Sequence, residues 1–456
     1  MKSLKIFINP KAESAIETIE AKHAIRTLAN IAGLPTQFFS NSKEGPFDLA
    51  YSNNPSEVPC RVFIPISANK KNYYLNPAKL IEGRVENDIV LTTYILISGL
   101  HELGTKRDAH NHHHIETSVL YQKKILHIPL INQYASLLRK TFASYNPLPI
   151  WPKGKTWAAA ITHDVDYPQM IRWIEILRYL VTHKGPRKLS VITDIVAGKN
   201  NFWKFQDWIN LEIKNEVRSA FYFCGRKGSL LEYLIGIPDP FYDVCSEKFR
   251  TVINQLKENG FEVGLHASYN SFKSLAALKT EIKAVENSLG ETLKGNRHHY
   301  WHLNQDSPAE TSEIHSKAGL LYDSSICYEQ RAGFRYGIAA PFRLFHKNKK
   351  QISNCLQLPT AFMDDHMYRH LKYSQFSSPH VEINTLIDQT KIYSGLFIVD
   401  YHVRRLNETF FPGWGKLFQF ILEVIVNDPE CYCDTPSAIA EYWISREKKI
   451  RDASLS

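Results

Sequence analysis

Cysteine and long apolar runs are both scarce in this chain of 456 residues. Its seven cysteines are an odd number spread thinly along the sequence, which does not suit the disulfide framework of a small secreted protein. No apolar run approaches the roughly 18 residues that a membrane-spanning helix requires, so we expect no transmembrane segment. Residues 1–10 contain too short an apolar stretch for a secretory signal. Together these absences predict a cytoplasmic protein.

Charge of one sign is present in only small excess. The sequence holds 55 Lys and Arg residues against 46 Asp and Glu residues, which gives a net charge of +9. Such a balance can indicate nucleic acid or anionic lipid as a partner. Here the basic residues are scattered among acidic ones, and only short clusters occur, such as residues 347–350. We therefore predict a mildly basic, solvated surface and no nucleic-acid partner.

The length of the chain indicates two or three domains, and its 44% of hydrophobic residues allows large cores. Residues 1–145 mix short strand-like and helical segments, which predicts a smaller N-terminal α+β domain of unknown role. Three prolines within residues 146–154 fix an extended connection, so we place a linker and the domain boundary there. Residues 155–456 then form the second domain.

The segment from Asp108 to His114 stands out within the N-terminal domain. Its histidines resemble a metal-binding tract by composition. Consecutive histidines on a polar loop are more often solvated than bound to a metal. We therefore expect a solvated loop, with metal binding as the alternative.

After the linker, strand-like apolar runs alternate with amphipathic helices, which is the pattern of successive βα units around a parallel sheet. A barrel and an open doubly wound sheet both fit this pattern, and both place their sites at the carboxyl ends of the strands. The predicted strands are Ala158 to Asp164, Arg218 to Cys224, Phe261 to His266, Leu320 to Asp323, Leu356 to Phe362 and Leu396 to His402.

Polar side chains end several of these predicted strands. In an extended segment Asp164 and Asp166 point the same way, with Cα atoms roughly 6.6 Å apart, so one could bind a metal while the other transfers a proton. A turn that merely closes the strand is the alternative. His266 and His402 end two other predicted strands. A ligand role is favoured for His266, and for His402 a hydrogen-bonded supporting role remains open.

The stretch from Arg297 to His302 combines one cation, three imidazoles and two aromatic rings in six residues. It lies between predicted elements, so the sequence does not assign it to a strand. The interpretation without a catalytic role is an exposed aromatic and basic loop, which could stack against a sugar or a nucleic acid.

Taken in order, these segments resemble the polysaccharide deacetylases, which are the NodB-homology carbohydrate esterases. Residues 322–325, 333–335 and 341–342 also resemble a bacterial subgroup in which an N-terminal domain of undefined function precedes the deacetylase. The matching motifs are Thr162-His163-Asp164-Val165-Asp166 for the first, Gly264-Leu265-His266 for the second, Arg297 with His299 for the third, and His402 for the last.

The resemblance implies an α/β fold with a distorted (β/α)7 barrel and a divalent metal, usually zinc. It implies hydrolysis of an amide, with removal of the N-acetyl group from a saccharide such as a surface-polysaccharide intermediate. The N-acetylated saccharide is then the expected partner. The implied roles are Asp164 as general base, Asp166 and His266 as metal ligands, Arg297 as the group that orients Asp164, and His402 as general acid.

One position departs from the family pattern. The second motif usually has a histidine four residues after the first one, and Asn270 stands there in this chain. Because an amide oxygen is a weaker partner for zinc than imidazole, we favour His299 as the replacement ligand. The alternative function is a catalytically silent carbohydrate-binding relative that kept the barrel and an aromatic rim. The predicted substrate-binding residues are Tyr300, Trp301 and Trp414.

Overall fold

The computed structural model describes residues 2–9, 13–71, 73–182, 188–199, 201–367 and 376–455. Its N-terminal region is built on one sheet, with strands β1 Leu4–Ile8, β2 Thr36–Phe39, β3 Phe47–Ser52, β4 Cys60–Pro65, β5 Leu80–Ile81 and β6 Arg84–Val85. The order across the sheet is β2-β1-β3-β4-β6-β5, and only β5 and β6 pair antiparallel. The α-helices of this region are Thr18–Ala32, Ile89–Ile97, Val119–Gln122 and Leu130–Thr141.

The helix Thr18–Ala32 shows how the sequence sets these elements. Glu17 and Glu20 form a reciprocal capping box in its first turn, which satisfies backbone N–H groups that have no partner within the helix. Gly33 ends the helix in the left-handed conformation, with a φ of 80°, which glycine adopts without strain. The apolar face between these caps, including Leu28, is buried.

The second region contains ten further strands and a layer of helices. The strands are β7 Trp157–Val165, β8 Ala220–Cys224, β9 Glu262–Ala267, β10 Gly295–His298, β11 Tyr322–Asp323, β12 Phe342–His346, β13 Gln351–Gln357, β14 Phe362–Met363, β15 Leu396–Asp400 and β16 Cys431–Cys433. The α-helices are Arg172–Thr182, Lys188–Val196, Phe205–Lys214, Leu230–Leu234, Glu247–Glu258, Leu275–Leu289, Pro308–Ala318, Pro379–Ile392, Trp414–Val426 and Pro436–Leu455.

Strand pairing closes this sheet into a barrel. The hydrogen-bonded path runs β13-β11-β10-β9-β8-β7-β15-β14, and its pairings are parallel. Residues 358–361 join β13 to β14, so one continuous segment pairs with β11 at its start and with β15 at its end. The backbone N–H of Leu358 donates to Asp323, and that of Ala361 donates to Ile398. With this segment as one member the ring has seven strands, which confirms the (β/α)7 barrel.

Five of the six predicted strands appear, with bounds shifted by a few residues. The sixth, Leu356 to Phe362, covers the end of β13, the connection 358–361 and the start of β14. The strands β10, β12 and β16 were not predicted. Arg297 and His298 lie in β10 and are fully buried, so the interpretation of this stretch as an exposed loop is wrong. Polar residues fill β10 because groups on other strands satisfy them. For example, Asn296 donates a hydrogen bond to Asp323 Oδ1 at 2.8 Å.

The two regions share a hydrophobic core. It includes Leu28 from the N-terminal region and Trp443 from the last helix. Trp151, in the predicted linker, is fully buried between them and donates its indole N–H to the carbonyl of Ser394 at 2.9 Å. The connection is therefore packed against both regions. Among the described residues, no helix combines the length and hydropathy needed to cross a membrane.

Candidate metal centre and active site

The carboxyl ends of the barrel strands bring the predicted site residues together. Asp164 lies in β7 and Asp166 follows it, His266 lies in β9, His299 follows β10, and His402 follows β15. These five side chains are all buried. The parallel arrangement accounts for this, since strands far apart in sequence end on one rim.

Asp166 lies at the centre of the cluster. Its Oδ1 is 3.0 Å from His266 Nε2 and 3.6 Å from His299 Nε2, and its Oδ2 is 3.1 Å from His402 Nε2. Burial raises the pKa of this carboxyl, but the neighbouring imidazoles of His299 and His402 outweigh burial and hold the pKa well below its usual range. Asp166 is thus an anion surrounded by imidazoles.

Two atoms of this cluster fit a metal ion. Among the described residues, neither Asp166 Oδ1 nor His299 Nε2 has a hydrogen-bond partner of acceptable geometry, although both atoms are buried. One ligand atom from each of Asp166, His266 and His299 lies within 4.8 Å of the others. One carboxylate and two imidazoles are a donor set that divalent zinc accepts, with a further position left for water or substrate. Asn270, which stands four residues after His266 where the family pattern has a histidine, lies at the start of the short helix Ser271–Lys273.

The two imidazoles of this trio are oriented through their other nitrogens. His266 Nδ1 donates to the carbonyl oxygen of Arg297 at 3.0 Å. His299 Nδ1 lies 3.3 Å from Asp239 Oδ1. Hydrogen bonds of this kind fix the ring and its tautomer in metal sites. The sequence analysis missed Asp239, because between two prolines it is typical of an ordinary turn.

Arg297 joins the acidic groups of the rim. Its Nη1 lies 3.0 Å from Asp164 Oδ1 and 2.9 Å from Asp400 Oδ1, and it donates to Thr162 Oγ1 at 2.7 Å. Burial lowers the pKa of this guanidinium, but the nearby carboxylates of Asp164 and Asp400 outweigh burial and raise the pKa above its ordinary value. The guanidinium therefore stays charged. Arg297 therefore holds Asp164 in place and balances its charge.

His402 is paired with a carboxylate that the sequence analysis also missed. Its Nδ1 lies 2.9 Å from Asp364 Oδ1, and its backbone N–H donates to Asp364 Oδ2 at 2.7 Å. Burial lowers the pKa of His402, but Asp364 and Asp166 outweigh burial and raise the pKa well above its usual value. Asp364 directly follows β14, so the rule that identified Asp164 at a strand end could have found it.

A cavity of about 600 Å³ opens beside Asp166, and Tyr300 forms part of its wall. Tyr300 has a φ of 58°, in the left-handed region that non-glycine residues seldom adopt. The other two predicted substrate-binding residues are placed differently. Trp301 and Trp414 are only 4% and 6% exposed, and they stack on the guanidinium groups of Arg297 and Arg405.

The histidine segment of the N-terminal region reaches this rim. His112 Nε2 donates to the carbonyl oxygen of Tyr300 at 2.5 Å, and the ring of His110 lies 4.7 Å from the ring of Tyr300. His112 and His113 are buried, so the expectation of a solvated loop is wrong for them. The reason is tertiary, since the barrel rim covers them. His112 Nδ1 also contacts Asp108 at 3.3 Å, so both of its nitrogens have partners within the chain.

The comparisons with known proteins give a family match only for the N-terminal region. Residues 6–147 match a family of unknown function, DUF7033. No curated protein matches the chain.

Several solved structures resemble the chain at low identity. A Mycobacterium smegmatis protein described as a polysaccharide deacetylase is 18% identical, covers 65% of this chain and 93% of its own, and has a TM-score of 0.41. The PuuE allantoinase is 14% identical over 66% and 94%, with a TM-score of 0.42. A CE4-family pseudoenzyme from Bacillus anthracis is 9% identical over 64% and 66%, with a TM-score of 0.30. Because these TM-scores are low, the fold assignment rests on the strand pairing described above.

Proposed function

We propose that this protein is a metal-dependent amidohydrolase that removes N-acetyl groups from a saccharide. The observation that carries the proposal is the convergence of Asp166, His266 and His299 on one point of the barrel rim. Asp166 Oδ1 lies 3.0 Å from His266 Nε2, but neither it nor His299 Nε2 has a hydrogen-bond partner of acceptable geometry among the described residues. A cation bound there would give both atoms a partner. A catalytically silent carbohydrate-binding relative would have no need of such a cation.

A divalent cation, of which zinc suits these donors best, would polarise the amide carbonyl of the substrate and lower the pKa of a water molecule. Asp164 acts as the base that accepts the proton of the attacking water. Arg297 keeps Asp164 oriented through the contact at 3.0 Å. The base is thereby fixed before the substrate arrives, which is how a positioned group contributes to the rate.

His402 acts as the general acid. Asp364 orients it at Nδ1 and favours its charged form, so Nε2 carries a proton towards the reacting centre. That proton passes to the amide nitrogen as the carbon–nitrogen bond breaks. One amide and one water become acetate and a free amino sugar, with no further reactant.

The cavity of about 600 Å³ is the entry route for the N-acetylated saccharide. Tyr300 lies on its wall next to the trio, where it can contact a sugar ring, and other aromatic residues such as Tyr167 and Phe241 line the same wall. Trp301 and Trp414 support the rim from beneath, since both are buried against arginine side chains.

The test combines metal content with acetate release. Protein purified without added metal is assayed for bound metal and for acetate release from a panel of N-acetylated saccharides. We expect about one metal per chain. The Asp166→Ala variant should lose both the metal and acetate release.

The Asp48→Ala variant provides the control. Asp48 accepts a hydrogen bond from Tyr145 far from the barrel rim, so its removal should leave both readouts unchanged. Absence of metal from the wild type even after incubation with zinc, together with no acetate release, would overturn the proposal in favour of a silent relative.

A further inference from the structure

The cavity beside Asp166 contains an arginine that the proposed reaction does not use. Arg404 lies in the short helix Val403–Leu406, two residues after His402, and its side chain lines the cavity. Among the described residues that line this cavity it is the one Lys or Arg, and Asp166 and Glu175 are the carboxylates. A cation on the wall of a binding cavity attracts a negatively charged part of a ligand.

Among the described residues, the guanidinium of Arg404 has no partner of opposite charge. No carboxylate forms an ion pair with it, and no acceptor takes a hydrogen bond from it, although its Nε is buried. The next residue, Arg405, also has a buried Nε without a hydrogen bond, but it pairs with Asp365 through Nη2. Arg226 and Arg297 at the same rim pair with carboxylates at 2.6 Å and 2.9 Å. The charge of Arg404 is therefore left for a ligand.

An aromatic ring supports this guanidinium. Its central carbon lies 5.3 Å from the centre of the Tyr167 ring, a distance at which a cation is attracted to an aromatic face. Tyr167 is anchored in turn, because its hydroxyl donates to the carbonyl of Pro238 at 2.6 Å. Since Tyr167 directly follows Asp166, the cation lies beside the proposed metal ligand. A charge that is positioned before the ligand arrives loses less conformational entropy on binding.

We propose that Arg404 recognises an anionic group of the substrate. A guanidinium presents paired N–H donors in a planar fork, which matches the two oxygens of a carboxylate or a phosphate. The inference rests on the proposed function and narrows its substrate class. The substrate is an N-acetylated saccharide that carries a carboxylate or phosphate on the N-acetylated sugar or directly next to it. Arg404 determines specificity and takes no part in proton transfer.

Acetate release from matched sugars tests this inference. The sugars are the neutral methyl glycoside of N-acetylglucosamine, N-acetylglucosamine 1-phosphate, and the methyl glycoside of N-acetylglucosaminuronic acid. The wild type should prefer one of the two charged sugars, which distinguishes a phosphate from a carboxylate. In Arg404→Gln, the KM for that sugar should rise by about tenfold or more, and this rise should far exceed any change in KM for the neutral sugar. Arg404→Lys should recover part of the loss, because it restores the charge without the fork.

Arg172→Gln is the matched control. Arg172 is exposed, donates to the carbonyl of Val196 at 3.1 Å and does not line the cavity. This variant removes the same charge from the helix that carries Glu175, and it should leave each KM within about twofold of the wild type, because exposed charges at a distance are screened. Equal changes of KM for the charged and neutral sugars in Arg404→Gln, or a wild type that prefers the neutral sugar, would overturn the proposal.

Equilibrium binding separates this inference from the proposed activity. Each sugar is titrated calorimetrically into the zinc-loaded protein, and a charged sugar should bind the wild type about tenfold or more tightly than Arg404→Gln. If no sugar releases acetate while this difference persists, the proposed activity fails and the anion-binding role of Arg404 stands. Absence of the difference while acetate is released would overturn that role and leave the proposed function standing.

A charged sugar could also bind to the metal itself. Binding that is equal in the wild type and Arg404→Gln but lost in Asp166→Ala would assign the anion to the metal and overturn the proposal. No binding of either charged sugar by the wild type would overturn it as well.

Discussion

Buried acidic residues lie beside the carboxyl ends of parallel strands in both the N-terminal sheet and the barrel. In the N-terminal sheet, Asp88 accepts hydrogen bonds from the backbone N–H groups of Leu91 and Ser67, each at 2.8 Å, and from the Tyr51 hydroxyl at 3.0 Å. In the barrel, Asp166 Oδ1 is buried without a hydrogen-bond partner of acceptable geometry among the described residues. The first carboxylate has its partners within the chain, whereas the second faces imidazoles that could share a cation with it.

A cavity lies beside each of these two edges, that is, beside the carboxyl ends of the strands in the N-terminal sheet and in the barrel. The volumes are about 330 Å³ in the N-terminal region and about 600 Å³ at the barrel. A cavity at a strand end therefore does not distinguish a site from a structural feature. A single buried nitrogen without a partner does not distinguish them either, since His23 Nε2 in the N-terminal region is one. The convergence of ligand atoms from Asp166, His266 and His299 on one point does, because a cation bound there would satisfy several buried polar atoms together.

The largest effect is expected for His299→Ala. Removing one of three protein ligands should weaken zinc binding by about a thousandfold or more, measured by competition with a chelating dye. His302→Ala serves as the matched control, because His302 follows on the same segment but its Nδ1 donates to the carbonyl of Tyr269. Equal zinc affinity in the His299→Ala variant and the wild type would contradict the role of His299 as a ligand.

The next effect concerns the acid of the proposed reaction. In His402→Gln, acetate release should fall by about 10²- to 10⁴-fold, while about one metal per chain is retained. Metal content is measured on the same sample by mass spectrometry. Because Asp364 acts through His402, adding Asp364→Asn to His402→Gln should cause little further loss of rate. Full additivity of the two losses would contradict this coupling.

In the N-terminal sheet, the expected effect is on stability. Asp88→Ala removes the cap of the helix Ile89–Ile97 and leaves three donors without their acceptor, so we expect a loss of about 2–3 kcal/mol in the free energy of unfolding. Urea denaturation measures this loss, and zinc content should not change. A change in zinc content without a change in stability would reverse the assignment of the two edges.

The smallest effect is a pH dependence. Burial raises the pKa of Asp88 to about 6 from its ordinary value of 3.8. A raised pKa in the folded state means that this group's contribution is fully present below about pH 3.8 and is lost as the pH rises through 6. Between pH 4 and 7 the wild type should lose about 2 kcal/mol of stability relative to Asp88→Asn. Parallel pH profiles of the two proteins would contradict this origin.

Much of the barrel could be predicted from the sequence, because its strands are apolar and flank amphipathic helices. The run before Asp164 shows this, since all nine residues of β7 are buried. The same reasoning failed for β10, where Asn296, Arg297 and His298 are polar. Their partners come from other strands, and a local pattern does not contain that information.

The local pattern predicted a site residue where a polar side chain ends an apolar run, whereas Arg297 and His299 were predicted from the family resemblance. Asp164, His266 and His402 meet this condition, and the structure brings them together on one rim. Asp239 does not meet it, because it lies in a turn between prolines and reaches His299 only through the fold. The histidine segment near residue 110 was also out of reach, since its burial depends on the barrel.

The sequence by itself determined the alternation of strands and helices and the residue types available for chemistry, because both are local properties of the chain. The tertiary structure alone decided that Asp166 faces His299, that Asp364 orients His402, and that the N-terminal region covers part of the rim. These decisions depend on contacts between segments up to hundreds of residues apart. Such contacts exist only once the parallel strands have closed into a barrel.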